Sequence, residues 1–339
     1  MVGFGDILVE VSRSGVVESR HYGSIAVVNR KGKLIASAGD PELVTFMRSA
    51  AKPIQAVPLV ESGAADRFGF TPKELAVMTG SHSGEDIHTE AVRSILKKIG
   101  LDENSLLCGI HQPFSKEVQS SLALKGEKPG PVHNNCSGKH GAMLSLAVHL
   151  GYSIRNYTAL EHPVQQIMLE EISYFTGVDK NRIRLGLDGC GVPVFGVSLL
   201  GMASAFSKLA WMDGLPEAKK EAVGRIVRAM QDYPEMVAGS DRLCTELFRN
   251  TGRKLVLKYG SEAVYCLGHL PSGVGIAIKV EDGSDRALGP VVIETLWKLG
   301  FLTYEELVKL RHFHRPQIRN HRGDPVGEVR PVVKLKKEI

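Results

Sequence analysis

Strand-like segments lie at both ends of this chain and enclose a long middle with helical periodicity, and this order restricts the possible folds more than any other feature. Segments rich in β-branched residues and bounded by turn residues occur within 7–36 and again within 254–280. Between them, apolar residues recur with the period of an α-helix. Such an order favours one antiparallel sheet built from both ends, with a helical insertion. The predicted fold class is therefore α/β (α+β).

The individual signals define two lobes of one domain. Strand signals occur at 7–12, 16–18, 24–29, 33–36, 254–258, 262–267, 274–280 and 326–335. Helical signals occur at 90–99, 139–150, 159–175, 197–209, 217–231, 286–298 and 304–311. Because no repeat or obvious linker interrupts the chain, we expect a single domain over 1–339. Its sheet lobe would comprise 1–60 and 250–339, and its mainly helical lobe 61–249.

Excess positive charge is concentrated in the C-terminal stretch. The chain has 42 Lys+Arg and 37 Asp+Glu, and 9 of the basic but only 3 of the acidic residues lie in 309–339. A basic tail is typical of proteins that bind nucleic acid or membranes. Residues 326–335 alternate like a strand, however, so we expect these charges at the edge or end of the sheet, with a short solvated end at 334–337. We therefore predict no nucleic-acid partner.

The sequence shows neither a secretion signal nor a membrane span. Residues 1–13 contain no basic region and no apolar stretch of signal length. No window approaches ~18 uncharged apolar residues, so we expect no membrane association. The five cysteines are an odd number without an export signal, which favours reduced thiols and a cytoplasmic location.

The first segment that suggests catalysis is R-S-A-A-K-P at 48–53. Pro53 is tolerated in the first turn of a helix, so we expect a helix to begin near Ser49. Ser49 and Lys52 would then share one face at i and i+3. There the lysine can take the proton of the hydroxyl if its own pKa is lowered. A helix cap followed by a surface lysine is the alternative.

Two further segments strengthen a Ser-Lys interpretation. Lys258 begins K-Y-G at the end of a late strand signal, and Ser81 lies in G-S-H-S-G-E at 80–85. Active-serine enzymes of the β-lactamase and penicillin-binding type combine S-x-x-K with a late K-[TS]-G and an intermediate serine. The match is partial because Ser81 does not belong to an S-D-N, and an ordinary polar turn is the alternative.

Two cysteines in glycine-containing segments form a candidate metal site. Cys136 lies in H-N-N-C-S-G-K-H at 133–140, where it would begin a helix whose dipole favours the thiolate. Cys190 lies in L-D-G-C-G-V-P at 187–193. Two thiolates and a nearby nitrogen donor suit zinc. Two buried, unpaired cysteines are the alternative, since neither belongs to a C-x-x-C.

The motifs together resemble those of the asparaginase II family, the inducible, rhizobial-type class 3 L-asparaginases. They are R-S-A-A-K-P, G-S-H-S-G-E, H-N-N-C-S-G-K-H-G-A-M-L, L-D-G-C-G-V-P and R-N-H-R-G-D-P-V-G-E. The resemblance extends from about Val9 to Arg330. It implies a serine β-lactamase/glutaminase-like fold and hydrolysis of the side-chain amide of L-asparagine to L-aspartate and ammonia. It also implies a homodimer.

The resemblance further implies the residues of the site. Four catalytic residues form two Ser-Lys pairs, which are Ser49 with Lys52 and Ser81 with Lys258. Three residues match the ligands of one zinc ion, which are Cys136, Lys139 and Cys190. Two charged residues are expected at the substrate, which are Arg48 and Asp188. The segment G-S-E-A at 260–263 departs from the G-A-E-G that the resemblance predicts.

These residues suggest a mechanism with an acyl-enzyme. We expect Ser49, deprotonated through Lys52, to attack the amide carbonyl, and Ser81 and Lys258 to relay protons. In a second version the serines exchange roles, and Lys279 is an alternative to Lys258. Zinc is expected to set substrate affinity, and zinc-hydroxide attack without an acyl-enzyme is the alternative mechanism. The alternative function is a β-lactamase- or penicillin-binding-like amidohydrolase acting on another amide.

Overall fold

The computed structural model describes residues 5–338, which contain twelve β-strands and fifteen α-helices. The strands are β1 (Asp6–Arg13), β2 (Val16–Val28), β3 (Leu34–Ala38), β4 (Val44–Phe46), β5 (Arg184–Leu187), β6 (Pro193–Ser198), β7 (Leu255–Gly260), β8 (Val264–His269), β9 (Val274–Val280), β10 (Gln317–Arg319), β11 (Pro325–Pro331) and β12 (Lys336–Lys337). The helices are α1 (Lys52–Gln55), α2 (Val57–Glu61), α3 (Ala64–Arg67), α4 (Pro72–Met78), α5 (Asp86–Lys98), α6 (Lys116–Lys125), α7 (Ser137–Leu150), α8 (Pro163–Thr176), α9 (Leu199–Ala210), α10 (Glu217–Asp232), α11 (Pro234–Val237), α12 (Leu243–Asn250), α13 (Asp285–Lys298), α14 (Tyr304–Lys309) and α15 (Arg311–His314). Each predicted segment overlaps an element of the predicted type.

The large sheet contains strands from both ends of the chain. Its order is β10-β11-β1-β2-β9-β8-β7, and β3 pairs with both β2 and β12. Strand β1 lies antiparallel between β2 and β11, so the first and last parts of the described chain meet inside the sheet. Strand β2 continues the antiparallel pattern with β9. The predicted fold class, α/β (α+β) with an antiparallel sheet from both ends, is confirmed.

Strand β2 is longer than its sequence signal. The segments predicted at 16–18 and 24–29 belong to this one strand. Its first half alternates between exposed and half-buried residues, whereas its second half is buried. The apolar signal therefore stops where the strand leaves the core, although the backbone pairing with β1 continues.

The chain divides into two compact units. The first holds the large sheet and consists of the residues up to Ala50, Val197–Trp211 and the residues from Glu246 on. The second is mainly helical and consists of Ala51–Gly196 and Met212–Thr245.

Helix α9 packs closely against strands β2, β8 and β9 within the first unit. A Cβ at Gly268 would overlap the carbonyl oxygen of Phe206, and a Cβ at Gly275 would overlap that of Ala203. Both carbonyls belong to α9. Glycine in a strand often marks such a close approach of another backbone, so these two glycines allow the helix to lie directly on the sheet.

Helix α7 is the buried centre of the second unit, and it packs against α2, α4, α5 and α8. Its residues from Ser137 to Ala147 are all buried. A Cβ at Gly138 would overlap the carbonyl of Val77 in α4, and Gly141 faces Ile95 of α5. The glycines of the H-N-N-C-S-G-K-H-G segment therefore bring neighbouring helices close to this one.

The basic C-terminal stretch takes part in the sheet, as its alternation predicts. Strand β11 is an interior strand, since it pairs with both β1 and β10. Lys336 and Lys337, which we expected in a solvated end, instead pair with Ser37 and Ala36 of β3. Their side chains remain exposed, so the short strand β12 adds backbone hydrogen bonds without removing these charges from water.

Two further findings concern the helices and the cysteines. In the part of the chain that the structure describes, no helix is both long and apolar enough to cross a membrane. All five cysteines are free thiols, and all five are buried. The thiols are therefore accommodated in the fold without any disulfide bond.

Candidate active site

The loop between α4 and α5 holds Ser81 in a fixed position. The Ser81 N–H donates a hydrogen bond of 2.8 Å to the carbonyl of Val237. A Cβ at Gly80 would lie 2.6 Å from the carbonyl oxygen of Met236, so only glycine allows this close approach. Gly84 has a φ of +76°, in the left-handed region that favours glycine. The loop thus requires Gly80 for its contact with α11 and Gly84 for its left-handed backbone.

The next residue in this loop is a buried histidine whose tautomer follows from its partners. His82 Nδ1 accepts a hydrogen bond from the Gly84 N–H at 3.2 Å, so Nε2 carries the proton. This nitrogen lies 2.8 Å from Ser137 Oγ, and that hydroxyl donates to the carbonyl of Val132 at 2.9 Å. The ring stacks on His88 with 4.9 Å between centroids. Burial lowers the pKa of His82 well below its usual value, so a neutral imidazole holds the loop.

Lys52 begins α1, and its amine is buried against three oxygen atoms. Its Nζ donates to the carbonyl of Gly80 at 2.6 Å, to Ser81 Oγ at 2.9 Å and to the carbonyl of Asn135 at 3.3 Å. The residue is 1% exposed. Burial lowers the pKa of the Lys52 amine, because an ammonium ion loses its hydration there. The structure thus brings Lys52 into contact with Ser81.

Ser49 lies in a tighter turn than the helix we expected there. The 3₁₀ turn Arg48–Ala51 contains it and ends where α1 begins. Arg48 has a φ of 51°, a left-handed conformation that costs about 1–2 kcal/mol for a residue with a Cβ. Strain of this kind persists where the surroundings enforce it, often at functional sites. Ser49 itself is 6% exposed.

The K-Y-G segment at the end of β7 lies against the turn that carries Ser49. A Cβ at Gly260 would come within 2.6 Å of the carbonyl oxygen of Met47, which immediately precedes the turn. The glycine of this segment is therefore needed for close backbone packing. Lys258 is fully buried, and its Nζ donates to the carbonyl of Tyr259 at 2.7 Å.

Lys279, the alternative to Lys258, is held by backbone carbonyls of the neighbouring hairpin. Its Nζ donates to the carbonyl of Glu262 at 2.5 Å and to that of Val280 at 2.7 Å. Burial lowers the pKa of this amine. Glu262 and Ala263 have φ angles of 62° and 51°, and Ala263 stands where the resemblance predicts glycine. The Lys279 amine thus supports a turn with two non-glycine residues in the left-handed region.

Cys136, Lys139 and Cys190 form a buried cluster. Cys136 is the N-cap residue of α7, at the helix start predicted for it. Lys139 follows on the first turn, and its Nζ donates to Cys190 Sγ at 3.0 Å. Asp188 Oδ2 lies 4.0 Å from the same sulfur. Each of the three cluster residues is at most 5% exposed.

The charges in this cluster depend on one another. A hydrogen bond from the Cys136 thiol lowers the pKa of Cys190, and the Lys139 cation lowers it further. The same hydrogen bond raises the pKa of Cys136. Burial disfavours the Lys139 cation, but attraction to Cys190 and Cys136 outweighs this effect and raises the lysine pKa. Without a metal, the cluster thus favours one thiolate, one thiol and one ammonium ion.

The cluster fits the zinc ion that the resemblance implies, provided that lysine is a ligand. Among residues 5–338, no group of three or more His, Cys, Asp and Glu side chains is arranged to hold a metal. In the ligand set that the resemblance implies, the nitrogen of Lys139 would be the third donor beside Cys136 and Cys190. Two sulfur atoms and one nitrogen suit zinc. Binding would release the protons of the ammonium ion and of the remaining thiol.

Two residues that we did not assign from the sequence, Asn134 and His111, hold the segment that contains Cys136. Asn134 Oδ1 accepts a hydrogen bond of 2.8 Å from the Cys136 N–H, and its Nδ2 donates to the carbonyl of Cys108 at 2.8 Å. His111 Nε2 accepts a hydrogen bond of 2.9 Å from the Asn135 N–H. An asparagine two residues before a backbone N–H that needs an acceptor is a recognisable turn signal. The role of His111 had no local signal, because it depends on contact across 24 residues.

Comparison with known families gives one match over most of the chain. The family model described as L-asparaginase II matches residues 9–331. No curated protein matches the sequence significantly.

Several solved structures are similar to this one. The structure titled Mglu in its native form has a TM-score of 0.46 and 16% identity, and the match covers 84% of this chain and 66% of that one. A putative β-lactamase from Bacteroides dorei DSM 17855 has a TM-score of 0.41 and 13% identity, with 80% and 92% covered. A β-lactamase from Mycobacterium bovis has a TM-score of 0.41 and 13% identity, with 83% and 95% covered. The chain spans slightly less than two thirds of Mglu, and at these TM-scores the likenesses carry no argument about activity.

The neutral state of the stacked histidines predicts a loss of stability in mild acid. Burial lowers the pKa of both His82 and His88 in the folded chain. As the pH falls through the ordinary histidine pKa, these two side chains therefore bind protons in the unfolded chain but remain neutral in the folded one. The free energy of unfolding should therefore fall below about pH 6.5, by up to ~1.4 kcal/mol per pH unit for each histidine. Urea unfolding between about pH 7 and pH 5.5 measures this slope.

A matched pair of variants assigns the slope. His82→Gln should reduce it, whereas His321→Gln, at an exposed position, should leave it unchanged. A free energy of unfolding that stays constant over this range would contradict the neutral state of the two histidines.

Proposed function

The chain belongs to the L-asparaginase II family and is an amidohydrolase, and on this premise we propose that it hydrolyses the side-chain amide of L-asparagine to L-aspartate and ammonia. The observation that carries the proposal is the buried amine of Lys52, 2.9 Å from Ser81 Oγ. An unactivated serine is a poor nucleophile towards an amide, and an adjacent base is what such chemistry requires.

The contacts of Lys52 suit a neutral amine. A neutral amine has two N–H groups and one lone pair. The carbonyls of Gly80 and Asn135 can accept from both N–H groups, whereas neither can donate a proton. Of the three oxygen partners, only the Ser81 hydroxyl can donate to the lone pair. Contact with Cys136 favours the ammonium form, but burial outweighs it. Because burial lowers the pKa of this amine, a larger fraction is neutral at a given pH than for an exposed lysine.

The proposed reaction has two stages. Ser81 Oγ attacks the side-chain carbonyl carbon of asparagine while its proton passes to Lys52 Nζ. The carbon–nitrogen bond then breaks, the leaving nitrogen takes up the proton that Lys52 received and departs as ammonia, and an ester to the serine remains. Water attacks this ester and its proton passes to the neutral Lys52 amine. The carbon–oxygen bond to Ser81 then breaks, the serine oxygen takes that proton back, and aspartate is released.

The resemblance implies the pairs Ser49 with Lys52 and Ser81 with Lys258, but Lys52 contacts Ser81, so we propose that Ser49 and Lys258 form the second pair. Ser49 is the alternative nucleophile to Ser81, because its spacing from Lys52 in the sequence suggested that role. In either version the second serine and Lys258 relay protons to the leaving nitrogen and to the deacylating water. The position of Lys258 supports this role, since it is fully buried on a strand whose end packs against the turn that carries Ser49.

Arg48 and Asp188 have the charges that an α-amino acid requires. We assign the Arg48 guanidinium to the α-carboxylate of asparagine and the Asp188 carboxylate to its α-ammonium group. A planar guanidinium can bind a carboxylate through two parallel hydrogen bonds. The strained backbone of Arg48 supports a functional reason for its conformation.

Zinc is proposed at the Cys136, Lys139 and Cys190 cluster. When bound, the ion supplies a positive charge beside the substrate that strengthens its binding. In its absence, the Lys139 ammonium and the favoured thiolate of Cys190 neutralise each other. Asp188, 4.0 Å from Cys190 Sγ, links this cluster to the proposed substrate site.

The cellular setting is proposed from the thiols and from the family. Five free, buried cysteines are compatible with a reducing compartment, so we propose a cytoplasmic location. A homodimer is proposed from the family resemblance. Neither nucleic acid nor a membrane is part of the proposal.

The substrate assignment is tested by ammonia release. We expect release from L-asparagine, and we use L-glutamine, D-asparagine and the β-lactam nitrocefin as comparison substrates. Hydrolysis of nitrocefin without ammonia release from L-asparagine would favour the alternative amidohydrolase. Stoichiometric binding of L-asparagine without turnover would indicate a sensor.

Serine variants identify the nucleophile. Ser81→Ala should lower kcat for L-asparagine by at least about 10³-fold, because the group next to the base is lost. Mass spectrometry of quenched reactions should then detect no ester. Ser83→Ala is the matched control in the same loop, since Ser83 Oγ only donates to the carbonyl of Ala238 at 2.9 Å. Loss of the ester in Ser49→Ala but not in Ser81→Ala would identify Ser49 as the nucleophile. Turnover that survives both changes would favour a mechanism without an acyl-enzyme.

Removal of a sulfur ligand tests the metal site. Cys190→Ala should abolish stoichiometric zinc, measured by elemental analysis, and should raise KM more than it lowers kcat if the ion sets affinity. Cys244→Ala removes another buried thiol and should retain zinc. Full zinc content in Cys190→Ala would refute the proposed ligand set, and an unchanged KM with a collapsed kcat would refute the role in affinity.

A further inference from the structure

A groove in the first unit is lined by arginine side chains and lies far along the chain from the candidate active site. It encloses about 610 Å³ between α14, α15 and the β10–β11 hairpin. Its polar lining consists of Arg311, His312, Arg315, Gln317, Arg319 and Glu328. The basic C-terminal stretch seen in the sequence therefore contributes a concave surface as well as strands.

The positive charge in this groove is not neutralised within the fold. In the described part of the chain, the side chains of Arg311 and Arg315 make no hydrogen bond or ion pair. Arg319 donates to the carbonyl of Gly323 and to Gln317 Oε1, both uncharged acceptors. Glu328 is the one carboxylate that lines the groove among residues 5–338.

Other arginines of the same stretch have acidic partners. Arg322 Nη2 lies 3.1 Å from Asp324 Oδ2, and Arg330 Nη2 lies 2.8 Å from Glu10 Oε2. The unpaired arginines are thus confined to the groove. Like charges held together repel one another, and a multivalent anion removes that repulsion.

An aromatic pocket adjoins the groove. It encloses about 300 Å³ and shares Val308, Arg311 and Arg315 with the groove. Trp297 and Tyr304 line its other side, and they are 39% and 71% exposed. The remaining polar pair of the pocket is already hydrogen-bonded, because His314 Nε2 lies 2.8 Å from Glu294 Oε2. A flat ring can therefore enter beside aromatic side chains while Arg311 and Arg315 remain available on the groove side.

We propose that this surface binds a ligand that joins a chain of phosphates to a flat ring, as in a nucleoside di- or triphosphate. The phosphates lie in the groove on Arg311, Arg315 and Arg319, because guanidinium groups bind phosphate oxygens through paired hydrogen bonds. The ring stacks in the pocket against Trp297 or Tyr304. Both volumes are within or close to the range of small-molecule sites, and the charge is limited to a few residues, which favours a single nucleotide over a polymer.

No chemistry is assigned to this site. The chain contains neither a G-x-x-x-x-G-K-[ST] loop nor a G-x-G-x-x-G that follows a strand, so the proposal is binding of the intact ligand. It stands independently of the proposed asparagine hydrolysis, since it shares no residue with that site.

Calorimetric titration with ATP, inorganic tripolyphosphate and adenosine separates the two parts of the surface. ATP should bind most tightly, tripolyphosphate more weakly, and adenosine weakest. Arg311→Ala/Arg315→Ala should weaken ATP binding by at least about tenfold, because charged hydrogen bonds are lost. Arg322→Ala, which removes the same kind of charge outside the groove, should change the affinity less than about twofold. Trp297→Ala should weaken ATP binding but leave tripolyphosphate binding unchanged.

A second readout reports the pocket directly. The chain has two tryptophans, and Arg30 lies 4.8 Å from the ring centroid of Trp211. In a Trp211→Phe background, ATP should therefore change the fluorescence of Trp297. Absence of ATP binding, or equal weakening by the double variant and by Arg322→Ala, would overturn the proposal. Binding of a single-stranded RNA without binding of ATP, or a changed oligomeric state of the double variant, would also overturn it.

Discussion

The buried amine of Lys52 is the interaction on which the candidate active site depends. An ammonium ion without water is unstable, so the fold must either give it oxygen partners or remove its proton. Here three oxygen partners surround the amine, which are the carbonyls of Gly80 and Asn135 and the hydroxyl of Ser81. Burial in turn favours loss of the proton. The lysine is therefore a candidate base whose amine is held next to the Ser81 hydroxyl. This arrangement requires three segments that are distant in the sequence to meet at the Lys52 amine.

Glycines without room for a side chain make such meetings possible. Gly80 lies against the carbonyl of Met236, and Gly138 lies against that of Val77. Gly260 has the same relation to Met47 beside the turn that carries Ser49. Gly80 and Gly138 belong to motifs that resemble the family, and Gly260 ends the K-Y-G segment. These segments therefore specify backbone contact as much as chemistry. A methyl group at any of these positions would lie within 2.6 Å of a carbonyl oxygen and would force one of the two segments to shift.

Much of the fold could be predicted because its signals are local. The long helix α7 and its N-cap Cys136 follow from an apolar period that begins after a polar motif. Strand β2 was predicted only in parts, since its exposed half lacks an apolar signal. The contact between Lys52 and Ser81 could not be derived from spacing, because it depends on the path of a loop fixed by Val237. Lys139 entered through the resemblance alone, as lysine has no spacing rule that marks it as a ligand.

The burial of every cysteine affects how fast the thiols are oxidised or alkylated. A thiol reacts with an oxidant or an alkylating reagent only when that reagent can reach it. Since each of the five cysteines is at most 5% exposed, local opening of the surrounding structure increases the access of reagents in solution. The rate of thiol modification then reports how often each part of the core opens. The five cysteines, which lie in a strand, a helix and loops, are therefore natural probes of local opening in different parts of the structure.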